Sequence, residues 1–145
     1  MLLFHVDPGS GLPVYRQIMD QVKFYRASGL LKPGAKLPSI RTLARTLSVN
    51  PTTIVKAYNE LQHQGVVELR HGKGVFLAPL PAGSEGALKE EVLRPLLREL
   101  AAKAAQMGLP PERVCALLRL HWPGETSKDQ EKPREGRGRK EGKRK

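Results

Sequence analysis

The chain has 145 residues, 39% of them hydrophobic and 27% charged, with a formal net charge of +11 and a pI near 10.2. That gives room for one ordinary domain, or a small one with an appendage, and the basicity favours a polyanionic partner. A single cysteine excludes an internal disulfide. The opening MLLFHVDPGSG lacks a signal peptide's basic start and long apolar stretch, and no apolar run approaches the ~20 residues of a membrane helix, so a cytoplasmic protein with no membrane partner is expected.

The charge is unevenly placed. Residues 1–80 carry ten Lys and Arg against four Asp and Glu, residues 81–122 six against five, and residues 123–145 nine against five. A nearly neutral stretch between two basic ones suits a nucleic-acid domain, a self-associating segment and a solvated tail.

The first element expected is an amphipathic helix over Pro13 to Ser28. Val14, Ile18, Val22 and Tyr25 recur at helical spacing, and Gly29 stops it. A second helix is expected from Ser39, as N-cap, to Leu47. Its buried stripe is Ile40, Leu43, Ala44 and Leu47. The third helix has a more explicit start. Asn50 caps free backbone N–H groups, Pro51 suits the first position, and Val49 and Ile54 stand where a hydrophobic staple needs them. Ile54, Ala57, Tyr58 and Leu61 form its stripe, and Gly65 ends it. Two short amphipathic helices separated by Ser48 and Val49 have helix-turn-helix grammar.

After Gly65 the period changes. Val66–Arg70 and Val75–Ala78 read as strands around His71-Gly72-Lys73-Gly74, a glycine-bearing hairpin turn. Two helices followed by a basic-tipped hairpin make a winged helix.

Pro79-Leu80-Pro81-Ala82-Gly83-Ser84 reads as a linker. Beyond it Leu88, Val92, Leu96, Leu100 and Ala104 recur every fourth residue, with Pro95 expected to bend or break the helix. Leu109-Pro110-Pro111 opens a shorter helix with Val114, Leu117, Leu118 and His121 on one face. Cys115 lies among apolar residues there and is expected to be buried. From Pro123 the chain is Gly, Pro and charge, a composition expected to be disordered.

In a helix-turn-helix the start of the second helix enters the major groove while the first crosses the backbone. With the stripe of the third helix inward, Thr52, Thr53, Lys56 and Asn59 face outward, and Asn50 lies at the positive end of the helix dipole. Arg41 and Arg45 point away from the stripe of the preceding helix, and Arg41 is the stronger candidate. His71 and Lys73 flank Gly72, whose lack of a side chain permits close approach. The bland readings are helix-start chemistry at Asn50, Thr52 and Thr53, a solvated Lys56 and an ordinary hairpin tip.

The run from Leu30 through Pro33-Gly34, Leu37-Pro38-Ser39-Ile40-Arg41 and Leu43-Ala44 continues through Val49-Asn50-Pro51-Thr52-Thr53-Ile54, Ala57-Tyr58, Leu61, Gly65 and His71-Gly72-Lys73-Gly74-Val75-Phe76. In order and spacing it resembles the GntR family of bacterial regulators over roughly residues 11–79. The Val-Asn-Pro phrase, the short C-terminal segment and Ala104-Ala105-Gln106-Met107-Gly108-Leu109 resemble its YtrA-like subfamily. The resemblance implies a homodimer held largely by the C-terminal helices, binding an inverted-repeat operator, often as a repressor near transporter genes. Family contacts carry over best to Arg41, Asn50, Thr52, Thr53, His71 and Gly72. Some members have basic residues at the positions of Pro51 and Val55, so no contact is carried over to those two.

The expected architecture is α+β: a winged helix-turn-helix domain over 11–79, a linker at 80–86, a helical dimerisation segment at 87–122 and a disordered basic tail at 123–145. The candidate DNA-contacting residues are Lys36, Ser39, Arg41, Asn50, Thr52, Thr53, Lys56, His71, Gly72 and Lys73. The candidate dimer interface is Leu88, Val92, Leu96, Leu100 and Ala104; the same stripe packed onto its own domain is the competing reading. Two short C-terminal helices are too little to enclose a ligand-sized cavity within one subunit. No nucleophile–base pair or metal-ligand spacing is present, Glu90 and Glu91 read as solvated charges, and neither cofactor nor catalytic residue is expected. The partner is double-stranded DNA. The alternative is a non-specific architectural protein, or an RNA binder, relying on the basic tail.

Overall fold

The structure is a computed structural model that describes residues 3–124. In chain order it contains α1 (Val14–Ala27), α2 (Ile40–Leu47), α3 (Pro51–His63), β1 (Val67–Arg70), β2 (Gly74–Leu77), α4 (Glu85–Gln106) and α5 (Pro111–Leu120). It divides into two units, the first running to Arg98 and the second beginning at Glu99. The expected disordered tail lies, from residue 125 onward, outside the described residues.

The core of the first unit forms where three helical stripes and the hairpin meet. Ile18, Met19 and Val22 of α1, Leu43 and Ala44 of α2, and Ile54, Ala57, Tyr58 and Leu61 of α3 are buried together with Val66, Val67, Val75 and Leu77. Full burial of one such aliphatic side chain stabilises by ~1.5–3 kcal/mol, so these positions fix the helix packing. The α1 stripe is rotated from the expected one: Arg26 is buried, whereas Val14 and Tyr25 are only partly covered. The Arg26 Nη2 donates to the Pro79 carbonyl at 3.2 Å, while its buried Nε has no hydrogen-bond partner among the described residues. Burial lowers its pKa, and Glu91 pulls the other way.

The helix caps follow from local sequence. Ser39 accepts from the Thr42 N–H at 3.1 Å, and Asn50 Oδ1 accepts from the Thr52 N–H at 2.9 Å, with Pro51 in the first turn. The turn between α2 and α3 holds a surprise. Ser48 has φ 54°, φ being positive there although the residue is not glycine, and the Val49 N–H reaches back to the Ala44 carbonyl at 3.0 Å. Gly65, with φ 69°, closes α3 as its position suggested.

β1 and β2 pair antiparallel, with Glu68 opposite Phe76 and Arg70 opposite Gly74. Residues 34–37 run along the other edge of β2. The Gly34 N–H donates to Leu77, Leu77 to Ala35, and Leu37 to Val75, all at 2.8–2.9 Å. The segment before α1 is also docked. Phe4 is buried and meets Tyr25 edge-on at 5.6 Å. Gln17 and Gln21 serve the main chain of this segment, accepting from the Asp7 and His5 N–H groups at 2.8 Å.

Several C-terminal expectations change. α4 begins at Glu85 and runs unbroken through Pro95, which removes one N–H from the ladder without ending the helix. A cavity of about 870 Å³ lies between α1 and the first half of α4. Its walls are α1, α4 and the residues that follow α3, with Phe24, Arg26, Val66, Leu88, Val92 and Leu96 among them, and none come from α5. In the second unit Ala104 is only 4% exposed, beside a turn whose Leu109 N–H donates to its carbonyl at 2.9 Å. It therefore has almost no surface to offer a second chain, and is withdrawn from the candidate interface. Cys115 is exposed, not buried, because the described residues leave that side of α5 uncovered.

Candidate nucleic-acid interface

Three elements of the first unit carry the candidate contacts: the start of α2, the start of α3 and the hairpin tip. On α3 the inward stripe consumes Ile54, Ala57, Tyr58 and Leu61. Asn50, Thr52, Lys56 and Asn59 are exposed, and Thr53 is half-buried. Asn50 and Thr52 work together, since the Thr52 hydroxyl donates to Asn50 Oδ1 at 2.8 Å. With that oxygen already accepting two bonds, the amide nitrogen is the group Asn50 has to offer. Pro51 and Val55 are exposed on the same helix and bring no charge.

Lys56 departs from the expected geometry. Its ammonium stands 4.0 Å from the Tyr15 ring centroid, so the side chain is held at the junction of α1 and α3 rather than extending freely. Arg41 is exposed in the first turn of α2, and Arg45 in the last. Ser39 is engaged as the α2 cap, and its hydroxyl also lies 2.8 Å from that of Thr42. Tyr58 ties α3 to the residue before the α2 cap, its hydroxyl donating to the Pro38 carbonyl at 2.8 Å.

At the hairpin tip His71, Gly72 and Lys73 are all exposed. Gly72 has φ 70°, and the Lys73 N–H closes the turn on the Arg70 carbonyl at 2.9 Å. Lys36 is brought to the base of this wing by its bridge to Phe76. Arg70, the residue before the tip, reaches back to the same ring, its guanidinium 4.5 Å from the Phe76 centroid. Sequence reasoning passed over Arg70 because it read as one polar position in a short strand. The alternation of the hairpin, which puts Arg70 and Phe76 on one face, was the signal available.

Among the described residues no group of three or more His, Cys, Asp and Glu could hold a metal ion. Nor is any of their helices long and apolar enough to cross a membrane.

Two helices joined by a tight turn, an outward polar ridge on the second and a basic hairpin define a winged helix-turn-helix DNA-binding domain. Comparisons with known proteins agree. Residues 14–77 match the bacterial regulatory proteins of the gntR family. The HTH-type transcriptional repressor YtrA of Bacillus subtilis is 34% identical over 112 residues, 77% of this chain and 86% of that one. The crystal structure of a transcriptional antiterminator from Listeria monocytogenes EGD-e superposes with a TM-score of 0.65 at 34% identity, covering 80% of this chain and 87% of that one. A GntR family transcriptional regulator from Listeria monocytogenes gives a TM-score of 0.66 at 28% identity over 75% of this chain and 95% of that one. The chain belongs to the GntR family, in its YtrA-like subfamily. It is a sequence-specific DNA-binding transcription regulator, and the family is regulatory rather than enzymatic.

Proposed function

We propose that this regulator acts in the cytoplasm as a homodimeric repressor of an inverted-repeat operator. The exposed ridge of α3 supports this reading most directly. Thr52 and Lys56 lie opposite the buried stripe and Asn50 is exposed at the helix start, so a duplex approaching that side meets hydrogen-bonding groups and positive charge without disturbing the core. Arg41 and Ser39 would grip the backbone beside the groove, with Thr53 at the rim. His71, Gly72 and Lys73 would enter the neighbouring groove. Lys36 would meet phosphate at the base of the wing.

Self-association rests on α4. Leu96 is 61% and Leu100 43% exposed, in a region of nearly balanced charge. Leu88 and Val92 are half-buried and line the cavity facing α1. Burying such leucines against a second copy removes apolar surface from water. A two-fold dimer then presents two α3 helices to two half-sites.

The test is a gel-shift assay with duplexes tiled across the region upstream of the chain's own gene, against scrambled competitor. Retardation of one fragment bearing an inverted repeat, resistant to competitor, is expected. Equal retardation of every fragment would favour the non-specific architectural reading. Deleting residues 123–145 is expected to remove salt-sensitive, sequence-independent affinity while leaving that discrimination intact.

A further inference from the structure

The outer face of the wing carries a cluster that the helix-turn-helix does not use. Side chains alternate along a strand, so Glu68 and Arg70 share one face of the hairpin with Gly74 and Phe76. The bridge between Lys36 and Phe76 adds Lys36 to that face. Its hydrogen bonds fall on the flanking residues, which marks a non-hydrogen-bonded pair, the kind whose side chains approach most closely. Phe76 thus has Lys36 beside it on one edge, Glu68 on the other and Arg70 on the diagonal.

Both cations use the ring. Lys36 Nζ lies 5.9 Å from its centroid and the Arg70 guanidinium carbon 4.5 Å. Gly74 makes room for this. A Cβ there would meet Lys36 Cε at 3.0 Å, and the residue's φ of 118° already disfavours a side chain. Glu68 reaches Arg70 at 3.5 Å and steadies it, leaving two cations against one carboxylate. All three charged residues retain solvent access.

Two like charges held together in the free protein need a reason. Long cationic side chains lose rotamer freedom when they dock on a ligand, and holding them beforehand lowers that cost. The negative face of an aromatic ring supplies the hold. The location is informative: Lys36 stands three residues before the Ser39 cap of α2, and Arg70 directly precedes the His71-Gly72-Lys73 tip. The pair therefore joins the two elements that the DNA-binding reading sets beside the duplex.

We infer that Phe76 is a positioning residue that presents Lys36 and Arg70 as a paired clamp for the DNA phosphate backbone along the outer face of the wing. This rests on the DNA-binding reading and adds Phe76 and Arg70 to it. The clamp contributes affinity and register, not base discrimination, because it meets phosphates alone.

Because phosphate contacts are sequence-independent, the probe is a short mixed-sequence duplex, titrated with the full-length chain by fluorescence anisotropy over a series of salt concentrations. Arg70→Gln and Lys36→Gln are each expected to reduce the slope of log affinity against log salt by about 0.9. Phe76→Leu is expected to weaken binding about three- to tenfold with an unchanged thermal midpoint, and Phe76→Tyr, which keeps the ring face, to restore it. In the Phe76→Leu background, Arg70→Gln should cost less than it does alone. Unchanged slopes in both glutamine variants overturn the clamp. So does a Phe76→Leu chain that loses thermal stability but binds as tightly as the wild type while folded. A wild-type chain that binds no duplex sinks the DNA-binding reading itself, whatever the variants do.

Discussion

The Tyr58 hydroxyl donates a 2.8 Å hydrogen bond to the carbonyl of Pro38, tying the middle of α3 to the residue before the α2 cap. The ring is buried and the acceptor is half-buried. One bond thus links the body of α3 to the start of α2. Tyr58→Phe keeps the ring and strands the carbonyl, for an expected loss of about 1 kcal/mol in urea unfolding.

The same burial gives an alkaline signature. It pushes the Tyr58 phenol up from its ordinary value of 10.0. The folded pKa exceeds the unfolded one, so this contribution is fully present below the unfolded pKa and is lost as pH rises through the folded value. Urea midpoints measured at increasing pH should fall more steeply for the wild type than for Tyr58→Phe. Parallel curves would show that Tyr58 ionises in the folded chain without resistance.

Arg41→Ala should weaken operator binding by ~1–3 kcal/mol, the cost of a charge-assisted contact. The side chain is exposed and outside the core, so the melting curve should not move. Unaltered retardation by the variant would remove Arg41 from the interface.

Asn50 separates folding from binding. Asn50→Ala loses the α3 cap, about 1 kcal/mol of stability. Asn50→Asp preserves an accepting oxygen for the Thr52 N–H but places a negative charge where phosphate should lie. It should melt near the wild type and bind DNA markedly less well, as read by calorimetry and anisotropy on the same preparation.

Ser48 sits at φ 54°, in the left-handed region. Ser48→Gly should therefore hold or raise stability. Ser48→Val, β-branched, should lower it by at least ~1–2 kcal/mol. Equal urea midpoints for the two variants would mean that the turn relaxes at no cost.

Leu96 and Leu100 test self-association. Glutamate at both positions should convert the chain to a monomer in sedimentation velocity without loss of helical circular dichroism. If the double variant sediments as the wild type does, α4 does not hold the assembly.

The elements most legible from sequence were those whose pattern is local. The stripes of α2 and α3 repeat at helical period, and Asn50-Pro51 announces a helix start in two residues. What escaped depends on contacts distant in sequence or on residues with no marked preference. Ser48 adopts a glycine-like conformation because the α2 end closes around it, and serine gives no hint of this. The docked segment around Phe4 has no period of its own; Gln17 and Gln21, ten and sixteen residues away from their partners, hold its main chain. Arg26, not Tyr25, follows Ile18 and Val22 at i+4 steps on the buried side, where its Nη2 meets the Pro79 carbonyl. In the candidate interface the polar ridge of α3 followed from the buried stripe by subtraction. The hold of Tyr15 on Lys56 and of Phe76 on Arg70 required the folded arrangement.

The sulfur of Cys115 stands on the surface of α5 and is the chain's single thiol. That makes the natural sequence its own labelling scaffold. A maleimide-linked spin probe attaches at one defined point with no engineered cysteine and none to remove. In any symmetric pair of copies, the two probes report one separation by dipolar spectroscopy, first without DNA and then with it. A change in that separation would measure how far the helical segments move as the wings engage.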